Sequence, residues 1–327
     1  MKIAVVGATG LVGSVMLNVL EQRGFASEEI IVAASEKSIG KKINFASKQL
    51  TVVSVQQAVD MSPDYAIFSA GSGVSKQYAP KFADKNTTVI DNSSCWRMYD
   101  EIPLVVPEVN FSAVKDTDRI IANPNCSTIQ MVLALAPLDR AFDIKRLVIS
   151  TYQSVTGTGV KAVKQLEAEE KGLEGEKAYF DRIYRNVLPY GGDFTDNGYT
   201  TEEIKLVNET QKILNKKINI TAMVARVPVC GGHSESVNVE FRKSFELEQV
   251  RALLSGFEGI KLLDNNDRHE YPMPILSQDR DEVFVGRIRR DFSIDNGLNM
   301  WIVADNLRKG AATNAIQIME KLIQYRK

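Results

Sequence analysis

Lys2-Ile3-Ala4-Val5-Val6-Gly7-Ala8-Thr9-Gly10-Leu11-Val12-Gly13 opens the chain, and the reading of this stretch decides the fold. The apolar run Lys2–Val6 predicts a short strand, the glycines a tight turn, and the residues on to Leu20 and Gly24 a helix. Strand, glycine turn and helix in that order make a nucleotide-binding unit. Glycine lets the backbone approach a pyrophosphate, whose charge then rests on the helix N-terminus. The spacing is G-x-x-G-x-x-G instead of G-x-G-x-x-G and is a weak signal by itself. Its place directly after an N-terminal strand strengthens it.

The alternation continues outward from there. Ile30–Ala34, Tyr65–Ser69 and Thr87–Asp91 read as strands, with a helix from about Val74 to Asp84. Alternating strands and helices predict a Rossmann-like, mostly parallel, doubly wound α/β sheet. The second strand runs into Ala34-Ser35-Glu36-Lys37-Ser38-Ile39-Gly40-Lys41-Lys42. An acidic residue here suits the ribose of NAD, whereas hydroxyls and cations suit the 2′-phosphate of NADP. Ser35, Lys37 and Ser38 favour NADP, and Glu36 keeps NAD open. Lys41 and Lys42 read equally well as a solvated loop.

A second informative stretch is Ile120-Ile121-Ala122-Asn123-Pro124-Asn125-Cys126-Ser127-Thr128. Ile120–Ala122 reads as a strand, Asn-Pro stops it, and Thr128–Leu138 reads as a helix, so Cys126 falls at a helix N-terminus. Unpaired N–H groups and the helix dipole there favour a thiolate nucleophile. A small buried hydrophobe is the other reading of such a cysteine, and the stretch alone leaves both open.

Bulk properties narrow the classes. A chain of 327 residues, 44% of them hydrophobic, is long enough for two domains with separate cores. Forty basic and 41 acidic residues give a net charge of −1, which argues against a nucleic acid or an anionic membrane as partner. No stretch approaches the ~20 apolar residues of a membrane span, and the N-terminal apolar run is too short for a signal peptide. A soluble, cytoplasmic chain is expected. Cys95, Cys126 and Cys230 include no Cys-x-x-Cys pair, so neither a disulfide framework nor a metal site is expected.

The later part has longer strand signals, at Arg146–Gln153, Asn219–Val229, Val237–Phe241 and Asn299–Ala304. They predict a mixed or antiparallel sheet with helices on one face. Gly159–Lys171 reads as a charged helix, and Thr201–Leu214 as a helix that puts Glu202 and Lys205 on one face. That spacing is equally the spacing of an exposed ion pair. Arg226, inside the strand Asn219–Val229 among Ile, Met and Val, calls for an anionic partner. Of two histidines, His269 lies between Arg268 and Glu270 and reads as surface. His233 follows Gly231-Gly232 in a loop after a strand, where its imidazole would be accessible as a base near neutral pH. A solvated loop histidine is the alternative. The expected division is residues 1–125 plus 306–327, rejoined by the helix Arg308–Tyr325, and a central domain of residues 126–305.

Together with the glycine run, the motifs Asp91-Asn92-Ser93-Ser94-Cys95-Trp96-Arg97, Val106-Pro107-Glu108-Val109-Asn110 and Asn123-Pro124-Asn125-Cys126-Ser127-Thr128 resemble those of the aspartate-semialdehyde dehydrogenase family. The likeness continues through Tyr152-Gln153-Ser154-Val155-Thr156-Gly157, Glu202-Glu203-Ile204-Lys205, Arg226-Val227-Pro228-Val229 and Gly232-His233-Ser234-Glu235, and ends at Asp305-Asn306-Leu307-Arg308-Lys309-Gly310-Ala311-Ala312. It spans essentially the whole chain. Cys95 stands where a small residue is expected, and Asp181–Gly192 diverges, neither touching a proposed catalytic group.

The resemblance implies NADPH-dependent, reversible reduction of L-aspartyl 4-phosphate to L-aspartate 4-semialdehyde and phosphate, in biosynthesis of lysine, threonine, methionine and isoleucine. It implies Cys126 as the nucleophile that carries the acyl group, His233 as acid and base, and Gln153 orienting the carbonyl. Arg97 and Lys205 would meet phosphate, Arg226 the α-carboxylate and Glu202 the α-ammonium, and Asn125, beside the nucleophile, would join them in binding substrate or phosphate. Gly7, Thr9, Gly10, Leu11, Val12, Gly13, Ser35, Lys37, Ser38, Ser69, Gly71, Thr156, Gly157 and Asn306 would bind the cofactor. The first domain would bind NADP, and the central one would carry catalysis and pair two copies into a homodimer. The nearest rivals, N-acetyl-glutamyl-phosphate reductases, typically have Gly-Cys in place of Asn125-Cys126, and their acetamide does not suit Glu202. A non-catalytic NADP-binding module with Cys126 as a sensor thiol is a rival of another class.

Overall fold

The computed structural model describes residues 1–326. Two compact units emerge: Met1–Asn125 joined by the chain from Ala311 on, and Cys126–Gly310.

In the first unit six strands form one parallel sheet in the order Val53–Ser54, Glu29–Ala34, Lys2–Val6, Tyr65–Phe68, Thr88–Asp91, Ile120–Ala122. Alternate side chains of a strand serve opposite faces. Ile3 and Val5 accordingly enter one core cluster with Met16, Leu20, Ile316 and Met319, and Ala4 and Val6 enter another with Phe68, Ala79 and Phe82. Both faces are covered, which is why these strands are apolar throughout instead of alternating with polar residues. The helix Leu11–Gln22 and the C-terminal helix Thr313–Tyr325 pack on the first face, and Ser72–Ala83 on the second. The C-terminal helix is preceded by a wide π-type turn, Arg308–Ala312.

The second unit is a mixed sheet in the order Asn219–Arg226, Ile144–Gln153, His233–Phe241, Gly297–Ala304, Val283–Asp291, Ile260–Leu262. The two outer pairs are parallel and the inner pairings antiparallel. Helices Cys126–Phe142, Thr201–Leu214 and Leu247–Ser255 pack along it. Tyr152 and Met223 are exposed and Trp301 half-buried. Their strand neighbours Thr151, Val224 and Ile302 are buried, so one face is covered and the other partly open. A small satellite core, Val155, Ala162, Leu166, Tyr179, Ile183 and Leu188, lies under the helix Val160–Glu170. That helix reads in the sequence as charged. Its polar residues instead clip a loop in place: Gln165 Oε1 accepts from the amides of Ala178 and Tyr179, and Glu169 Oε2 from those of Ile183 and Tyr184.

Several expected boundaries shift. The strand read as Asn219–Val229 stops at Arg226, because Pro228 has no N–H to extend the ladder. His233 opens the strand His233–Phe241 instead of sitting in a loop. The helix read from Val74 starts earlier, as Ser72–Ala83. Among the described residues no helix is long and apolar enough to cross a membrane.

Candidate active site and nucleotide cradle

In the first unit the glycine turn is built for backbone contact. Gly7 adopts φ +91°, and a Cβ there would lie 2.2 Å from Ser69 O. A Cβ on Gly13 would lie 2.2 Å from Gly7 O, so the helix can pack this tightly on the turn only with glycine. Gly10 caps the helix without a side-chain hydrogen bond, leaving first-turn N–H groups for an anion. A cavity of about 490 Å³ opens here, lined among others by Thr9, Gly10, Ser35, Glu36, Ser69 and Tyr78. Glu36 thus faces the cavity, whereas Lys37 is exposed and is not part of its wall. Ser38 is buried beside Thr9, with their hydroxyls 3.5 Å apart. Leu11 and Val12 are half-buried on the helix, and Gly71, φ +82°, caps the helix Ser72–Ala83. Gln56 and Tyr78 line the cavity and carry no sequence signal that would have singled them out.

Arg97, also in this unit, is 6% exposed. Its Nε donates to Asn123 O at 2.9 Å and its Nη2 to Asn92 O at 2.8 Å, which fixes the guanidinium. Asn123 is itself held by Asn314. Asp91 backs the same loop, accepting from Ser75 and Ser93, and burial pushes its carboxyl up from the ordinary range. Asn125 is buried. Cys95 is half-buried, and burial raises its thiol.

The second unit gathers the remaining groups on the covered face of its sheet. Helix Cys126–Phe142 begins at Cys126, whose thiol is half-buried. A Cβ on Gly310 would lie 2.9 Å from Cys126 Cβ, so that position tolerates only glycine beside the thiol. One residue on, Ser127 Oγ accepts from Gln153 Nε2 at 3.0 Å. His233 is fully buried, a correction to the accessible loop imidazole expected. Gly231, φ +99°, and Gly232 serve close approach instead of exposure: a Cβ on Gly232 would lie 2.4 Å from Ser277 Oγ and 2.8 Å from Ala304 O. Ser154 N–H donates to His233 Nδ1 at 3.0 Å. Burial first, and then the charge of Arg226, hold the imidazolium well below its ordinary pKa.

Gly157 packs against both partners, since a Cβ there would lie 2.8 Å from His233 Cε1 and 3.1 Å from Arg226 Nη1. Thr156 Oγ1 bonds Asn306 Oδ1 at 2.9 Å. Lys205 Nζ is hydrogen-bonded to Glu202 Oε1. Their helix starts in a capping box, Thr200 with Glu203, and Glu203 Oε1 also accepts from Val224 N at 2.9 Å, tying the helix to the strand that ends in Arg226. Among the described residues, the buried atoms without a hydrogen-bond partner include Gln153 Oε1, Arg226 Nε, His233 Nε2 and both carboxyl oxygens of Glu235. Buried polar groups are normally satisfied, so such a cluster marks where a polar ligand docks. His269, by contrast, is exposed.

Two further features escaped sequence reasoning. Leu188 pairs with Arg226 through both backbone bonds, 2.8 and 3.0 Å, and Glu202 N–H reaches Gly191 O at 3.3 Å. The divergent stretch Asp181–Gly192 therefore touches two proposed substrate-binding residues, Arg226 and Glu202. Glu235, fully buried, lies on the same strand face as His233, cross-strand from Thr151. Burial raises its carboxyl well above the ordinary range. A carboxylate inside a strand carries no local sign of such burial. Among the described residues no group of His, Cys, Asp and Glu could hold a metal ion.

A dinucleotide cradle on a parallel sheet, with a separate mixed-sheet unit carrying a helix-start cysteine, histidine, glutamine and arginine, defines an NAD(P)-linked oxidoreductase. Residues 2–117 match the family model "Semialdehyde dehydrogenase, NAD binding domain", and residues 135–309 match "Semialdehyde dehydrogenase, dimerisation domain". The aspartate-semialdehyde dehydrogenase of Aquifex aeolicus is 49% identical over 99% of this chain and 98% of its own length. The crystal structure of aspartate semialdehyde dehydrogenase II from Vibrio cholerae, complexed with ASA, superposes with a TM-score of 0.92 at 44% identity, covering 99% of this chain and 98% of that one. That of Candida albicans with NADP gives 0.77 at 27% identity, covering 98% of each chain. The chain belongs to the aspartate-semialdehyde dehydrogenase family.

Proposed function

We propose that this oxidoreductase interconverts L-aspartyl 4-phosphate and L-aspartate 4-semialdehyde with phosphate, using NADP and a thioester on Cys126. The observation that carries the reading is the buried, unsatisfied trio Gln153 Oε1, Arg226 Nε and His233 Nε2 beside the helix that starts at Cys126. An α-carboxylate complements Arg226, a substrate oxygen complements His233, and a substrate N–H or O–H complements Gln153 Oε1.

Cys126 supplies the soft nucleophile, favoured as thiolate by the helix start. Gln153 Nε2 donates one N–H to Ser127 and has a second to orient the carbonyl, and His233 meets its oxygen. Arg226 takes the α-carboxylate. Glu202 takes the α-ammonium, and Lys205 with Arg97 takes phosphate, so substrate and phosphate would separate the Glu202–Lys205 pair. A glutamate suits a free ammonium and not an acetamide, which favours aspartyl over N-acetyl-glutamyl substrates. The glycine turn, with Thr9, Ser35 and Ser38, fits a dinucleotide: Gly7 and Gly13 have no room for a Cβ, and the helix start is uncapped. When bound, the nicotinamide supplies the hydride acceptor or donor. Lys37, Ser69, Gly71, Thr156, Gly157 and Asn306 belong to the proposed cofactor contacts.

The domain roles follow: nucleotide binding in the first unit, catalysis and homodimer formation in the second, whose partly open sheet face carries Tyr152, Met223 and Trp301. Cytoplasmic synthesis of the aspartate-derived amino acids is the setting. The test is NADPH formation from aspartate semialdehyde with and without phosphate. Strict phosphate dependence supports the reading, and equal rates with N-acetylglutamate semialdehyde overturn its substrate assignment.

A further inference from the structure

Residues 178–193 lie between the helices Val160–Glu170 and Thr201–Leu214 and form a strap outside the regular elements. Connections of that kind are ordinarily the mobile parts of a fold, because few of their backbone groups find partners. This one is fastened along its course. At its start Gln165, 2% exposed, accepts from the Ala178 and Tyr179 amides at 2.7 and 2.8 Å, and Glu169 from the Ile183 and Tyr184 amides at 2.9 and 2.8 Å. Gln165 Nε2 donates to Glu169 Oε1 at 2.8 Å, which makes the two side chains one anchor. The Tyr179 hydroxyl donates to Thr158 Oγ1 at 2.8 Å, next to Gly157, which packs on His233 and Arg226.

Further along, the strap grips the second unit by its backbone. Leu188 exchanges both backbone bonds with Arg226, at 3.0 and 2.8 Å. Gly191 O accepts from the Glu202 amide at 3.3 Å, Asp193 O accepts from the Thr201 amide at 2.9 Å, and the Asp193 amide donates to Thr201 Oγ1 at 3.2 Å. Gly191 also packs on the Glu202 side chain: a Cβ there would lie 3.2 Å from Glu202 Cγ and 2.6 Å from Val224 Cγ1.

We propose that this strap sets the spacing between Arg226 and Glu202 and so selects the amino-acid end of the substrate, with Gln165 and Glu169 as the positioning residues that hold it. This rests on the reading above, in which Arg226 takes the α-carboxylate and Glu202 the α-ammonium. Those two groups sit on one carbon of the substrate, so their receptors must keep one separation to bind both. Arg226 ends a strand and Glu202 lies in the first turn of a helix, places where backbone frays. The strap bonds both at once, adding to the tie that Glu203 makes with Val224. Gln165 and Glu169 act through it and do not themselves meet substrate. Receptors ordered before binding lose little entropy on binding, so loosening the strap weakens substrate binding and spares the chemistry at Cys126.

Glu169→Ala tests this in the whole protein, by hydrogen exchange read by mass spectrometry and by steady-state kinetics. Exchange in the peptide carrying Leu188 should quicken by about tenfold or more. The KM for aspartate semialdehyde should rise about tenfold, the order of one weakened hydrogen bond to a charged group, with kcat and the phosphate KM within about threefold of wild type. Glu169→Gln keeps a carbonyl acceptor for the two amides and should stay near wild type. Quicker exchange with an unchanged semialdehyde KM overturns the proposal, and so does a fall in kcat with equal rises in every KM, the mark of a merely structural loss. Gly191→Ala acts at the other end of the strap and keeps the test open if Glu169→Ala does not fold. It should raise the semialdehyde KM with kcat intact, and wild-type kinetics there overturn the proposal. A wild type inactive with aspartate semialdehyde and phosphate strikes the reading on which this rests, whereas an active wild type with unaltered variants strikes the strap alone.

Discussion

Gly157 lies against the imidazole of His233, so close that a single methyl at its Cα would stand 2.8 Å from Cε1 and 2.9 Å from Nε2. The ring has no room to give way, because its other edge is held by the Ser154 amide. Gly157→Ala is therefore expected to lower kcat about 100-fold, the usual cost of displacing a catalytic group by about 1 Å. Overpacking against the buried imidazole should also cost about 1–3 kcal/mol of stability. Unchanged kcat in this variant would contradict the packing.

Arg226 ends its strand with its backbone paired to Leu188 and its guanidinium beside His233. Arg226→Gln should raise KM for the semialdehyde by roughly 10- to 100-fold, the range of a charge-assisted bidentate contact. Steady-state kinetics at saturating phosphate check this. A change confined to the phosphate KM would move Arg226 to the other ligand.

Glu235 gives a pH-dependent stability of definite sign. Its folded pKa is raised above the ordinary 4.5, so the native state holds a proton that the unfolded chain releases. The stability it contributes is complete below that ordinary value and is lost as pH climbs toward the folded pKa. Glu235→Gln, a neutral isostere, should raise Tm more at about pH 8 than at about pH 4.5. His233 works in the opposite direction: its folded pKa is depressed, so its contribution is complete above 6.5 and is lost as pH falls. Calorimetry across pH distinguishes the two, and an equal Tm gain for Glu235→Gln at both pH values would contradict a buried neutral acid.

Glu36 lines the nucleotide cavity and Lys37 does not. A carboxylate there repels a 2′-phosphate, so Glu36→Gln should raise the ratio of kcat/KM for NADPH over NADH by about tenfold. A fall in that ratio would mean that Glu36 faces some other part of the cofactor.

The parts of the structure legible in the sequence are those set locally. The strand Lys2–Val6, the uncapped glycine turn and the helix Thr201–Leu214 follow from apolar periodicity, glycine spacing and the Thr200–Glu203 capping box. The helix start at Cys126 follows from the Asn-Pro stop before it. What stayed hidden depends on distant partners. The glycines before His233 look like loop flexibility, and only the nearness of Ser277 and Ala304 reveals that they bury the ring. Glu235 looks like an outward residue of an alternating strand until helix Cys126–Phe142 covers that face. The strap around Leu188 binds Arg226 by backbone alone, which leaves no side-chain pattern to read.

The central claim is that an acyl group resides on Cys126 between hydride transfer and phosphate attack. A single-turnover experiment with aspartate semialdehyde and NADP⁺ but no phosphate tests it most directly, followed by mass spectrometry of the protein. The account predicts a burst of about one equivalent of NADPH per site, with the acyl mass on the Cys126 peptide, and neither in Cys126→Ala. Sustained turnover without phosphate, or a burst that survives in Cys126→Ala, would contradict it.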